Sequence, residues 1–132
     1  MSEVVDAIVL SGSGYAGAEV LRLLSGHPGF SVVAATGHRA AGTSIGALHP
    51  HLAQHYPGEF LRVDQLAPLL DGSGPVAVFG CGAHGASAAD TAQVLELATS
   101  MGRLARAVDL SADFRHDAST FEALYGLSLI HI

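Results

Sequence analysis

A glycine-rich break between a strand-like run and a helix-like run most constrains how this chain can fold. Residues 8–28 read IVLSGSGYAGAEVLRLLSGHP. The mostly β-branched or apolar residues 4–10 predict a short strand buried on both faces, as in a parallel sheet. Apolar residues at helical spacing predict a helix over residues 15–26, and residues 30–36, FSVVAAT, predict a second strand. Together they form a βαβ unit, for which a right-handed crossover is expected.

The rest of the chain continues this alternation after an irregular segment. Residues 37–60 are rich in Gly, Pro and His, which indicates loops with at most one short helix. Apolar runs predict further strands over 75–81 and 105–111, and helical spacing predicts a helix over 87–102. Short helices are also expected over 64–70, where Pro68 weakens the prediction, and over 118–125. Strands that alternate with helices predict an α/β fold. We expect a Rossmann-like doubly wound, mostly parallel sheet with flanking helices.

The glycines of the break have the spacing G-x-G-x-x-G, at Gly12, Gly14 and Gly17. In such loops the first glycine permits a tight turn, and the second lets backbone N–H groups approach a pyrophosphate. The third lets helix and sheet pack closely, and the positive end of the helix attracts the phosphates. Because a strand precedes the loop and a helix follows it, we interpret it as a dinucleotide site rather than a turn without a ligand. The predicted contacts are Ser11, Gly12, Ser13, Gly14, Tyr15, Ala16 and Gly17.

The end of the second predicted strand favours one cofactor over the other. An NAD site usually has an acidic residue about 20 residues after the loop, bonded to the ribose 2′-hydroxyl. This chain has no acid between Glu19 and Glu59. Arg39 could instead pair with a 2′-phosphate, and Thr36 and His38 could add hydrogen bonds. We therefore predict NADP(H), with Arg39 as a solvated loop charge as the alternative.

Charge and cysteine content exclude several classes of partner. The chain has 12 acidic and six basic side chains, a net charge of −6 and no basic cluster, so nucleic acid and anionic membranes are poor matches. No apolar stretch approaches the roughly 18 residues of a membrane span. The acidic start, MSEVVDA, is unlike a signal peptide. With a single cysteine and no internal disulfide, we expect a cytoplasmic protein.

Four stretches carry a family resemblance: SGSGYAGAEVLRLLSGHP (11–28), HPHL (49–52), GAHGASA (82–88) and DLSADFR (109–115). They resemble the N-terminal half of the N-acetyl-γ-glutamyl-phosphate reductases of the semialdehyde dehydrogenase superfamily. Three positions depart from that family's pattern. Ser11 replaces a glycine and Gly12 an alanine, so we expect the flexibility of the turn to move by one residue. Ala83 replaces a proline.

The resemblance implies an NADPH-dependent reduction of an acyl phosphate to the semialdehyde in arginine biosynthesis. The family's nucleophilic cysteine, its assisting histidine and its oligomer interface belong to a second domain, so we expect no catalytic residue in this chain. We predict an NADP-binding domain over residues 1–126 and a tail, 127–132, foreign to the fold. The chain is then a truncated, inactive half of a homo-oligomeric enzyme. A stand-alone NADP(H)-sensing module, or reduction of an aspartyl or aminoadipyl phosphate, stays open.

Residues near the third and fourth strands are candidates for the nicotinamide side. Cys81 lies three residues before His84, and such a pair could form an activated thiolate. The family has an ordinary small or apolar residue at that position, and a free cysteine in an apolar strand is more often a buried side chain. We interpret Cys81 as structural. His84 and Gly85 match the family's His-Gly pair, as cofactor contacts or as a helix cap, and Ser111 is a predicted cofactor neighbour.

Three histidines, His49, His51 and His55, lie close together in the irregular segment. No cysteine joins them and their spacing fits no standard zinc motif. We therefore expect no metal site.

Overall fold

A computed structural model describes residues 4–82 and 86–110 of the chain. It contains a four-stranded, all-parallel sheet in the order β2-β1-β3-β4. The strands are β1 (Val5–Leu10), β2 (Phe30–Ala35), β3 (Val76–Gly80) and β4 (Ala105–Asp109). The helices are α1 (Tyr15–Ser25), α2 (Ile45–Leu48) and α3 (Ala86–Ser100). The predicted α/β, Rossmann-like class is confirmed, and the predicted helix 118–125 lies outside the described residues.

Burial of β1 on both faces explains why its sequence is almost wholly apolar. Residues 7–10 are all buried at the centre of the sheet. Ala7 and Val9 belong to the core under α1, whereas Ile8 and Leu10 belong to the core under α3. Since successive side chains of a strand point to opposite faces, a run without polar residues suits a strand covered by a helix on each side.

The segment between β2 and β3 is built from short turns of helix. It contains α2 and three 3₁₀ helices, Pro50–Leu52, Val63–Gln65 and Ala67–Leu70. The predicted single helix over 64–70 is therefore wrong. Pro68 has no N–H to donate within an α-helical turn and its ring crowds the preceding carbonyls, so the segment divides into two tighter turns. Among the described residues no helix is long and apolar enough to cross a membrane.

Candidate dinucleotide-binding site

The glycine loop follows β1 at the point where the strand order of the sheet reverses. β1 lies between β2 and β3, and the connections of β1 and β3 run to opposite edges. A crevice therefore opens at the carboxyl ends of these strands, the usual position of a ligand in open α/β sheets. Loop residues 11–14 line it from β1, and Gly82 approaches from β3. A Cβ built on Gly82 would lie 2.9 Å from Ser11 Oγ.

Two residues distant in sequence hold the start of the loop. The N–H of Ser11 donates to Thr36 Oγ1 at 3.0 Å, and the N–H of Gly12 donates to the Thr36 carbonyl at 2.8 Å. On the other side, His49 Nε2 lies 2.9 Å from the carbonyl oxygen of Gly12. Thr36 is only 3% exposed, so its hydroxyl serves the loop, a role that sequence reasoning missed. Its predicted contact with the cofactor stays a prediction.

The tight turn does not depend on Gly12, contrary to the sequence prediction. Ser11 has the left-handed backbone, with φ of 58°, at a cost of roughly 1–2 kcal/mol for a residue other than glycine. Gly12 instead lies in a tightly packed place, because a Cβ there would be 3.2 Å from Ala35 Cβ and Phe60 Cε1, and those side chains would have to move slightly to make room. The expected shift of flexibility from Ser11 to Gly12 is therefore also wrong.

Gly17 has the close-packing role that its place in the motif predicts. It is buried in the first turn of α1. A Cβ at this position would lie 2.4 Å from Gly12 Cα and 2.5 Å from the Ser11 carbonyl oxygen. Those are backbone atoms, so only glycine lets the helix begin this close to the loop.

The N-terminus of α1 faces the crevice, and within the described residues the N–H groups of its first three residues have no hydrogen-bond acceptor. The first N–H groups of a helix have no partner within it. The N-cap residue Gly14 provides no side-chain bond, and the first turn contains no acidic residue. A Cβ on Gly14 would have no atom within 4 Å, and Tyr15 is 99% exposed. The described residues thus leave open donors and open space in front of a positive helix end, which suits the phosphates of a dinucleotide. Ser13 is half-buried and Ala16 exposed at the same place.

A depression of about 310 Å³ lies beside the carboxyl end of β2, where the adenosine ribose binds in Rossmann-like folds. Its lining includes Thr36, Gly37, His38, Arg62, Asp64 and Asp90. His38 Nε2 lies 3.3 Å from Asp90 Oδ2 across its mouth. Arg39 is exposed and follows directly. Within residues 4–82 and 86–110, no hydrogen bond or ion pair engages its guanidinium.

Arg62 is a second cation at this depression that sequence reasoning missed. Leu61 forms a parallel bridge with Thr36, and its carbonyl accepts from the Gly37 N–H at 3.0 Å. This bridge brings Arg62 beside the end of β2, where its Nε donates to Asp64 Oδ1 at 3.1 Å. No pattern in the sequence indicates the bridge, since its partners are 25 residues apart with irregular structure between them.

The nicotinamide side is described only in part. His84, Gly85 and Ser111 lie outside the described residues, so their predicted roles stay predictions. Cys81 is half-buried just after β3, with its N–H bonded to the Leu10 carbonyl at 3.0 Å. Burial, and then the negative charge of Asp109, raises the pKa of the Cys81 thiol to about 11. A thiol that holds its proton is a poor nucleophile, which supports the structural interpretation of Cys81.

We expect iodoacetamide to modify native Cys81 slowly at pH 8. At that pH a thiol of pKa about 11 is ionised to on the order of 0.1%, against roughly a quarter for a free cysteine. Higher intrinsic nucleophilicity offsets part of this difference, leaving a rate on the order of tenfold below that of the urea-unfolded chain. Mass spectrometry measures both rates. Equal rates would contradict the raised pKa of Cys81, and a faster rate in the native protein would show an activated cysteine.

The histidines of the irregular segment do not converge on one point. His49 turns inward to Gly12, and the ring centroids of His49 and His51 are 6.1 Å apart. Among residues 4–82 and 86–110, no group of three or more His, Cys, Asp or Glu side chains could hold a metal ion.

Comparison with protein families finds a match over almost the whole chain. The family described as semialdehyde dehydrogenase, NAD binding domain, matches residues 6–131. The match runs past Gly126, where we expected the resemblance to fade. It contains the glycine loop, the depression beside β2 and the carboxyl ends of β3 and β4.

Individual relatives are reductases of acyl phosphates by name. An N-acetyl-gamma-glutamyl-phosphate reductase of Paenarthrobacter aurescens is 40% identical over 123 residues, 92% of this chain and 33% of that protein. The same enzyme of Azotobacter vinelandii is 38% identical over 119 residues, which are 89% of this chain and 32% of that protein. A protein of Aeropyrum pernix is named as a LysW-L-2-aminoadipate/LysW-L-glutamate phosphate reductase. It is 37% identical over 128 residues, which are 96% of this chain and 33% of that protein. The chain spans about a third of the length of these curated relatives.

Proposed function

We propose that this chain, which belongs to the semialdehyde dehydrogenase NAD-binding domain family, binds NADP(H) as the cofactor-binding part of an acyl-phosphate reductase. The observation that carries the proposal is the uncapped start of α1. Its free N–H groups, the absence of an acid in its first turn and the open space at Gly14 together fit a pyrophosphate. When bound, the cofactor supplies the hydride for the reduction.

The residues at the end of β2 support the choice of NADP(H) over NAD(H) in this proposal. In this proposal Arg39 pairs with the 2′-phosphate, because its guanidinium is exposed and has no partner within the described residues. His38, next to it, lines the same depression with its Nε2 3.3 Å from Asp90 Oδ2, and its predicted hydrogen bond to the cofactor stays a prediction. No acidic residue lies between Glu19 and Glu59 to bind a ribose 2′-hydroxyl from the end of β2. The two carboxylates that line the depression, Asp64 and Asp90, are paired with Arg62 and His38.

The proposed reaction of the whole enzyme is the NADPH-dependent reduction of N-acetyl-γ-glutamyl phosphate to the semialdehyde. Two of the relatives compared here bear that name. Reduction of an aminoadipyl phosphate is a second candidate, because the Aeropyrum pernix relative is similar to this chain to nearly the same degree. In either case the residues described here bind and orient the cofactor, while nucleophile and substrate contacts belong to a further domain, which also mediates assembly of the enzyme.

Calorimetric titration with NADPH and NADH tests the cofactor proposal. We expect tighter binding of NADPH, and we expect Arg39→Ala to lower NADPH affinity roughly tenfold to a hundredfold without changing NADH affinity. A hydrogen bond to a charged group contributes about 1.5–3 kcal/mol, and about 1.4 kcal/mol corresponds to a tenfold change. Arg106→Ala, on the exposed side of β4, is the matched control.

Three outcomes would contradict parts of this proposal. Loss of NADPH preference in Arg62→Ala but not in Arg39→Ala would move the 2′-phosphate to the Arg62 side of the depression. Equal affinity for both nucleotides would overturn the NADP(H) preference. Binding of neither nucleotide would overturn cofactor binding by this chain.

A further inference from the structure

His49 is a buried polar side chain, and within the described part of the chain its ring makes one hydrogen bond, to the glycine loop. It is 9% exposed, and its Nε2 lies 2.9 Å from the carbonyl oxygen of Gly12, 37 residues away. The edge of its ring packs against Phe60, with centroids 5.9 Å apart and planes at 90°. Phe60 is itself fully buried. The ring is thus fixed on one side by a rigid core residue and directed at the loop on the other.

The backbone around His49 is also fixed. Its N–H donates to the Ile45 carbonyl at 2.8 Å, and its carbonyl accepts from the Leu52 N–H at 2.9 Å. Pro50, which follows, begins a 3₁₀ helix and restricts the backbone further. His49 therefore joins two short helices, and its side chain has little freedom to leave the loop.

The chemistry of the bond defines the state of the ring. A carbonyl oxygen only accepts, so His49 Nε2 must carry a hydrogen. The neutral ring with its hydrogen on Nε2 meets this need, and no charge is required. The Gly12 N–H is bonded to Thr36 on the opposite side, so both backbone polar groups of Gly12 are held.

A strained residue lies next to this bond. Ser11 has φ of 58°, a left-handed backbone that residues other than glycine rarely adopt. The hydrogen bonds on either side of it, to Thr36 and between Gly12 and His49, help to keep Ser11 in this conformation. Without the His49 bond, the loop gains freedom to relax away from the position in which its N–H groups face the crevice.

We propose that His49 is a positioning residue for the dinucleotide: its Nε2–H holds the Gly12 carbonyl and thereby keeps the glycine loop preformed for the pyrophosphate. The proposal rests on the cofactor binding proposed above. It gives the HPHL stretch a role in that site. A histidine that only fills space between Phe60 and the loop is the alternative, and a side chain of similar size would replace it without loss.

Two variants and two ligands separate these possibilities. His49→Phe keeps the ring but removes the donor, whereas His49→Gln keeps a donor near the position of Nε2. Adenosine 2′-monophosphate lacks the pyrophosphate, and NADPH has it. We expect His49→Phe to weaken NADPH binding roughly fivefold to tenfold and to leave binding of adenosine 2′-monophosphate unchanged, with His49→Gln near wild type for both. Calorimetry measures NADPH, and NMR titration measures the weaker fragment.

Coupling to Ser11 provides a readout that a space-filling residue would not move. In a Ser11→Gly background the left-handed turn is free of strain, so His49→Phe should cost less NADPH affinity than in wild type. Nitrogen-15 NMR of the imidazole should independently show the Nε2–H tautomer of His49 at pH 8.

The outcomes distinguish this proposal from the cofactor proposal. If wild type binds NADPH and His49→Phe binds it equally well, the role of His49 is overturned and the cofactor proposal stands. The role is also overturned if His49→Phe loses equal affinity for NADPH and for adenosine 2′-monophosphate, or if His49→Gln binds NADPH no more tightly than His49→Phe does. If wild type binds no nucleotide, the cofactor proposal fails, and the role of His49 in binding fails with it.

Discussion

Gly17→Ala is expected to weaken NADPH binding on the order of a hundredfold and to destabilise the fold. The added Cβ would lie 2.4 Å from Gly12 Cα and 2.5 Å from the Ser11 carbonyl oxygen, so the loop or the helix must move. Overpacking of this kind costs about 1–3 kcal/mol, more than the roughly 1 kcal/mol that alanine gains over glycine within a helix. Displacing two phosphate-binding N–H groups would cost about 3 kcal/mol of binding, or on the order of a hundredfold in affinity.

The glycines at the two ends of α1, Gly14 and Gly26, provide matched controls for this variant. A Cβ on Gly14 has no atom within 4 Å, and its backbone, φ −85° and ψ −179°, suits any residue. Gly14→Ala should therefore lower the free energy of unfolding by no more than about 1 kcal/mol, the usual cost of alanine at an N-cap, while its methyl group reduces NADPH binding. Gly26→Ala, at the far end of α1 and equally open, should change neither property.

Urea unfolding and calorimetry together decide the outcome. Native-like stability and binding in Gly17→Ala would mean that the start of α1 does not pack on the loop as described. Full NADPH affinity in Gly14→Ala would place the pyrophosphate elsewhere than in front of this helix.

Local patterns in the sequence predict most of the sheet and its helices. β1 and α1 differ from prediction by a residue or so at their ends, because burial on both faces and helical spacing are visible within a few residues. The role of Gly17 follows from its place in the motif. The helix predicted over 64–70 failed because one proline changed the hydrogen bonding of a short segment.

The parts of the site that the sequence did not predict depend on contacts between distant residues. Thr36 and His49 reach the loop from 25 and 37 residues away, and Arg62 reaches β2 through a single bridge at Leu61. The left-handed turn at Ser11 was missed for a related reason. These bonds help to hold a residue other than glycine in that conformation, and nothing local in the sequence indicates them.

Replacing Arg103 with methionine is expected to lower the free energy of unfolding by about 3–5 kcal/mol, the usual cost of removing one partner from a buried ion pair. The Arg103 side chain is 2% exposed, and its Nη2 lies 2.8 Å from Asp6 Oδ2. Its Nη2 and Nε also donate to the carbonyls of Ser73 and Gly74 at 3.0 and 3.1 Å. Methionine retains much of the volume but leaves one carboxylate and two carbonyls without their donor.

The location of these bonds explains why a single side chain has so large an effect. Arg103 precedes β4, Asp6 lies in β1, and Ser73 and Gly74 precede β3. One guanidinium therefore connects the amino-terminal ends of three strands. Asp6 is one-third exposed, and water that reaches it reduces the loss. Arg103→Lys, which keeps the charge but not the planar arrangement of donors, should fall between wild type and methionine.

Arg22→Met is the control that separates burial from charge. Arg22 pairs with Glu19 on the exposed face of α1, where more than half of each side chain is accessible, and exposed pairs add little stability. In urea unfolding, the free energy of unfolding of Arg103→Met should therefore be far below that of Arg103→Lys, and that of Arg22→Met should be close to wild type. A loss of less than 1 kcal/mol in Arg103→Met would mean that water replaces the guanidinium without difficulty, and that the amino edge of the sheet does not depend on this residue.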